Sequence, residues 1–124
     1  MKADLDYTFK QFRNLKLLDL SSNNLTEFPL CINECPKLEI IRLIYNKIKE
    51  IPAAFFNSDP IKKGLKELNM NSNPLKEINP AIAALQRLNI IGISYTEVEE
   101  IPRCVADMKY LEQIYCFGTP LKKP

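Results

Sequence analysis

The sequence predicts an α/β repeat fold in which each unit supplies one short strand and returns through a helical or 3₁₀ turn. Leucine recurs at 15, 38, 65, 88 and 111, at spacings of 23, 27, 23 and 23 residues. Counted from that leucine, the fourth position (Leu18, Ile41, Leu68, Ile91, Ile114) and the sixth (Leu20, Leu43, Met70, Ile93, Cys116) are apolar in every unit. The ninth holds Asn23, Asn46, Asn73, Thr96 and Thr119, and the eleventh Leu25, Ile48, Leu75, Val98 and Leu121.

Apolar residues at four and six with an outward position between them have the period of two that belongs to a strand with one face buried. At position nine the chain must leave the strand. A carboxamide there can bond the backbone groups left over by its own and the neighbouring turn, so stacked units should build an asparagine ladder. Asn23, Asn46 and Asn73 are therefore expected to be buried and bonded to main chain, while Thr96 and Thr119 bring only a hydroxyl and should loosen the ladder towards the C-terminus. Position fourteen is apolar again (Phe28, Ile51, Ile78, Ile101) and is followed by Pro29, Pro52 and Pro102 in three units. With Ile32, Phe55, Ile82 and Val105 at position eighteen, this half reads as the helical or 3₁₀ return.

The pattern Leu-x-x-Leu-x-Leu-x-x-Asn-x-Leu, with a second half such as Ile101-Pro102-Arg103-Cys104-Val105-Ala106-Asp107-Met108, closely resembles the 23-residue class of the leucine-rich repeat family. That resemblance implies a solenoid with a curved parallel β-sheet on the concave face and short helical or 3₁₀ turns on the convex face. It spans nearly the whole chain as one domain over residues 1–124, divided into a half repeat (1–14), full repeats (15–37, 38–64, 65–87, 88–110) and a partial repeat (111–124). In the half repeat, Phe12, Phe9 and Leu5 fall in the slots of Cys35, Ile32 and Phe28. Terminal repeats normally carry polar caps, and neither end here reads as polar. The ends are expected to be covered by further repeats or another subunit, or to serve as caps themselves. The extra residues of the second unit fall within 56–64, rich in turn formers, and are expected to bulge as a convex loop of neutral surface.

Composition narrows the function. An apolar fraction of 46% with 26% charged residues is globular and soluble, with no continuous membrane-spanning run. Seventeen basic against fifteen acidic residues give no field for nucleic acid. The absence of histidine removes the usual general base and zinc ligand, and three glycines leave no phosphate-cradling loop. No enzyme, cofactor or metal is expected, and the recurrent pairs Lys49-Glu50, Lys76-Glu77 and Glu99-Glu100 sit in turns that must face water. The start, Met1-Lys2-Ala3-Asp4, lacks the apolar run of an export signal. The four cysteines occupy slots filled elsewhere by small or apolar residues. Cys31 and Cys104 are three repeats apart, too far to bridge at about 4.8 Å per strand, and only Cys31 with Cys35 is near enough. Reduced thiols and a cytoplasmic setting are expected.

Binding is therefore the expected function, and it belongs on the concave face. Position five reads Asp19, Arg42, Asn69, Gly92, Tyr115; position seven Ser21, Ile44, Asn71, Ser94, Phe117; position eight Ser22, Tyr45, Ser72, Tyr95, Gly118. Leu17, Ile40 and Ile90 at position three add apolar surface, and Asp19 is expected to pair with Arg42 across the strands. Tyrosine, phenylalanine and arginine are the residues that interface cores concentrate. Asp19, Arg42, Ile44, Tyr45, Asn69, Asn71, Tyr95, Tyr115 and Phe117 form the candidate site for a protein or peptide of unknown identity. Tyr115 and Phe117 have an alternative use beneath a further repeat or cap. The alternative function is architectural, with self-association through open solenoid ends and no external ligand.

Overall fold

The computed structural model describes residues 9–122. Five three-residue strands, β1 (Leu17–Asp19), β2 (Ile40–Arg42), β3 (Glu67–Asn69), β4 (Ile90–Gly92) and β5 (Gln113–Tyr115), form one parallel sheet in sequence order. Each strand pairs with the next at equivalent positions of the unit, so Leu18, Ile41, Leu68, Ile91 and Ile114 make one row across the sheet. The longer second unit keeps this register.

Between strands the chain returns through four 3₁₀ turns, η1 (Leu30–Glu34), η2 (Ala53–Asn57), η3 (Pro80–Ala84) and η4 (Arg103–Asp107). Pro29, Pro52 and Pro102 stand immediately before three of them, where the proline ring fixes φ and no backbone donor is lost from the turn. In the third unit Asn79 takes that place and accepts the Ala81 N–H at 2.9 Å. The core lies between the two halves of each unit. Ile41, Leu43, Leu68, Met70, Ile91 and Ile93 enter it from the sheet, and Ile32, Phe55, Ile82 and Val105 from the turns. Phe9 is buried in the slot equivalent to Ile32, Phe12 stays partly exposed, and Leu5 lies outside the described residues.

The extra residues of the second unit do not form the expected surface bulge. Asp59–Gly64 is a short helix, α1, with Pro60 in its first turn and Lys62 and Lys63 in its last. Ile61 and Phe56 are fully buried, and the Phe56 ring meets Phe55 edge-on at 5.3 Å. Two large side chains in the core make this stretch part of the packing.

The asparagine ladder forms, with one departure. Asn46 Nδ2 donates to Leu20 O and Leu43 O, both at 3.1 Å, while its Oδ1 accepts the N–H groups of Asn23 and Leu25. Asn73 repeats the arrangement on Leu43 O and Met70 O, with Ile48 N–H on its oxygen. Both are buried. Asn23 bonds Leu20 O and Ser21 O of its own turn but is exposed, because no described strand stands on its N-terminal side. Thr96 and Thr119 donate to carbonyls of their own units, Ile93 O and Cys116 O. No disulfide joins the four cysteines among the described residues; Cys31 and Cys35 are buried and Cys104 and Cys116 half-buried. Among the described residues no helix is long and apolar enough to cross a membrane.

Candidate interaction surface

Position eight has one backbone conformation in every unit. Ser22, Tyr45, Ser72, Tyr95 and Gly118 lie at φ between 57° and 65°, the left-handed region. There the chain turns out of the strand while the position-eight N–H still donates to the next unit's position-seven carbonyl: Tyr45 to Asn71 O at 3.0 Å and Tyr95 to Phe117 O at 2.6 Å. For a bulky residue this conformation costs on the order of 1–2 kcal/mol. No burial offsets it at the two tyrosines, which are 70% and 66% exposed. The Tyr95 ring leans over Gly118, where an added Cβ would come within 2.6 Å of it. Phe117, at 71%, and Tyr115 extend the aromatic surface to the edge strand β5.

The polar residues of the concave face are largely committed to the fold. Each position-seven N–H is met by a side-chain oxygen, making a second ladder alongside the asparagines. Ser21 Oγ accepts Ile44 N–H at 3.0 Å, Asn71 Oδ1 accepts Ser94 N–H at 2.8 Å, and Ser94 Oγ accepts Phe117 N–H at 3.0 Å. Ile44 has no oxygen to continue the row. The Asn71 N–H turns instead to Asn69 Oδ1 at 3.0 Å, as Ser21 N–H turns to Asp19 Oδ1 at 2.9 Å in the first unit. The Ser21 hydroxyl and N–H hold the Asp19 carboxyl below its ordinary pKa.

The expected pairing of Asp19 with Arg42 is replaced by another. Arg42 Nε bonds Glu67 Oε2 at 3.0 Å on the following strand, and Asp19 stays on its own turn. Glu67 occupies position three among aliphatic residues and its side chain is only 12% exposed, so a bonded guanidinium is what allows a carboxylate there. The site reading missed Glu67; its signal is an acid set between Ile40 and Ile90 in a lane that also holds Leu17 and Gln113. Gly92 was passed over in the same way. A Cβ there would come within 2.5 Å of Asn69 Oδ1 and 2.8 Å of Asn71 Oδ1, so the glycine lets both carboxamides lean across the next strand. Of the candidate residues, then, Asp19, Asn69 and Asn71 each satisfy backbone and Arg42 holds Glu67. Ile44, Tyr45, Tyr95, Tyr115 and Phe117 are the apolar and aromatic remainder.

A family profile described as leucine rich repeats in two copies matches residues 13–57, and one for a single leucine rich repeat matches residues 64–85, together more than half of the chain. The chain belongs to the leucine-rich repeat family. Comparison with curated proteins finds no significant match. Among solved structures, this leucine-rich repeat chain is similar to the plant peptide hormone receptor RGFR1, in a complex with RGF2, at 28% identity and a TM-score of 0.72. That match covers 89% of this chain and 18% of the receptor chain. A chain of the BIR3–SERK2 complex from Arabidopsis thaliana shares the fold at 24% identity and a TM-score of 0.74, over 86% of this chain and 57% of that one. The leucine-rich repeat chain thus spans less than two thirds of either structure's length.

Proposed function

We propose that this leucine-rich repeat chain is a non-enzymatic protein-interaction module that binds a protein or peptide on its concave face. The observation that carries the reading is the pair Tyr45 and Tyr95, held in a costly left-handed conformation with their rings in solvent. Large rings with few rotamers give much contact area for little entropy, and they stand beside further exposed apolar residues. The likeness to a receptor solved with a peptide hormone supports a protein or peptide as the partner. The test is affinity capture from the source organism with wild type and a folded Tyr45→Ala, Tyr95→Ala variant. A partner held by wild type and lost by the variant is expected. Equal capture by both would move the site off the concave face.

A second reading, self-association, is favoured by β5, an edge strand whose three residues are all exposed. Sedimentation at rising concentration decides it: a dimer abolished by Phe117→Ser supports the reading, and a monomer throughout ends it.

A further inference from the structure

The repeats act as controls on one another, and they single out the carboxamides of Asn69 and Asn71. At position five of the first unit, an aspartate is enough to hold the position-seven N–H. At position seven, Ser21 and Ser94 do with a hydroxyl what Asn71 does with its amide oxygen. The fold therefore uses only the oxygen at these places. Which end of each carboxamide is oxygen follows from chemistry, since the atom facing a backbone N–H must accept. The Nδ2 groups are left over. Neither makes a hydrogen bond among the described residues, although Asn69 is only 8% exposed. Neither is sealed off from the surface either, because among the described residues Asn33 Oδ1 is the buried side-chain polar atom without a partner.

We infer that the Nδ2 groups of Asn69 and Asn71 are ligand donors, and that they take main-chain carbonyls of an uncharged, extended peptide segment lying over β3 and β4. This rests on the concave-face reading above and names the chemistry of its ligand. Asn69 closes β3 and Asn71 stands two residues on, where the ladder bonds continue (Tyr45 N–H to Asn71 O, Ser72 N–H to Ser94 O), so the two are about 6.6 Å apart, which is also the spacing of alternate carbonyls in an extended chain. Both carboxamide oxygens lie over Gly92, within 2.5 and 2.8 Å of where a Cβ would stand, so the two side chains lean the same way, towards β4. Charge selects a neutral acceptor: at positions three and five two carboxylates, Asp19 and Glu67, stand against the single guanidinium of Arg42, which Glu67 already holds. An incoming carboxylate would meet a net negative face. Ile44 and Ile90, partly exposed on either side, offer apolar contact to the segment's side chains.

The probe is a displayed library of random short peptides, selected on wild type and then measured against three variants whose folding is checked by circular dichroism and urea midpoint. Asn71→Ser copies Ser21 and Ser94 without a change in charge, Asn69→Asp copies Asp19, and the third is the Tyr45→Ala, Tyr95→Ala protein. The expected result is enriched peptides that weaken about tenfold on Asn71→Ser and on Asn69→Asp, the loss that goes with one hydrogen bond to a ligand. Peptides that lose affinity on the tyrosine variant but keep it on both asparagine variants would overturn the donor assignment and leave the concave-face reading standing. Peptides indifferent to all three would overturn both. Enrichment of no peptide would overturn the peptide occupant. Binding lost when a peptide's acidic side chains are changed to amides would overturn the neutral carbonyl.

Discussion

Asn73 should be among the most costly polar residues to remove, and the reason can be worked from its bonds. Its Nδ2 reaches Leu43 O at 2.8 Å in the preceding unit and Met70 O at 3.0 Å in its own, and its Oδ1 accepts Ile48 N–H at 3.0 Å. The residue is 2% exposed, so in Asn73→Ala those three main-chain groups lose their partner where bulk water does not reach. At roughly 1–1.5 kcal/mol for each bond the loss is about 3–5 kcal/mol, against a total stability of order 5–15 kcal/mol for a domain. Asn23 makes equivalent bonds within its own turn but is exposed, so water replaces the amide and Asn23→Ala should cost about 1 kcal/mol or less. Asn73→Thr falls between. Thr96 shows that a threonine here keeps the carbonyl of its own unit, at 2.7 Å, and the bonds lost are the two to the preceding repeat, at Leu43 O and Ile48 N–H. Urea unfolding of the three variants, followed by circular dichroism, should rank them Asn23→Ala, Asn73→Thr, Asn73→Ala in rising cost. A loss on Asn23→Ala equal to that on Asn73→Ala would refute the claim that burial makes the ladder costly to break. An Asn73→Thr as unstable as the alanine variant would show that the bond within the unit contributes nothing.

Leu43→Ala removes a fully buried side chain and should cost about 2–5 kcal/mol in the same assay, whereas Tyr95→Ala should leave the midpoint nearly unchanged; equal losses would place Tyr95 in the core. Asp19 should make stability depend on acid. Its carboxyl is held below its ordinary value in the fold, so the stabilisation is present above the unfolded pKa of about 3.9 and is lost as pH falls through the lower folded value. Asp19→Asn should therefore flatten the decline of the urea midpoint below about pH 4, and an unchanged decline would assign it to other carboxylates.

What the sequence makes legible is whatever repeats. The row Leu18, Ile41, Leu68, Ile91, Ile114 can be read from spacing alone because in-register pairing of parallel strands needs nothing beyond equal position in each unit. The stretch 56–64 breaks the period, and there composition misleads: turn-forming residues surround Phe56 and Ile61, whose burial depends on space that only the assembled core defines.

The concave face resists reading for a different reason. An outward polar residue in a solenoid has two available partners, the backbone of the next unit or a ligand, and the same letter serves both. Asp19, Asn69 and Asn71 look like recognition residues by position, yet each gives its oxygen to a main-chain N–H. The discriminating signal lies at Ile44, the one position in the row Ser21, Ile44, Asn71, Ser94 without an oxygen. A row that must satisfy one N–H per unit cannot skip a unit, so the isoleucine forces a neighbour to supply the acceptor, and Asn69 does so from two residues away. The same comparison separates structure from surplus. Serine and aspartate are enough for the backbone at these positions, so the two amide nitrogens of β3 and its following turn are the part of this polar row that the fold does not use.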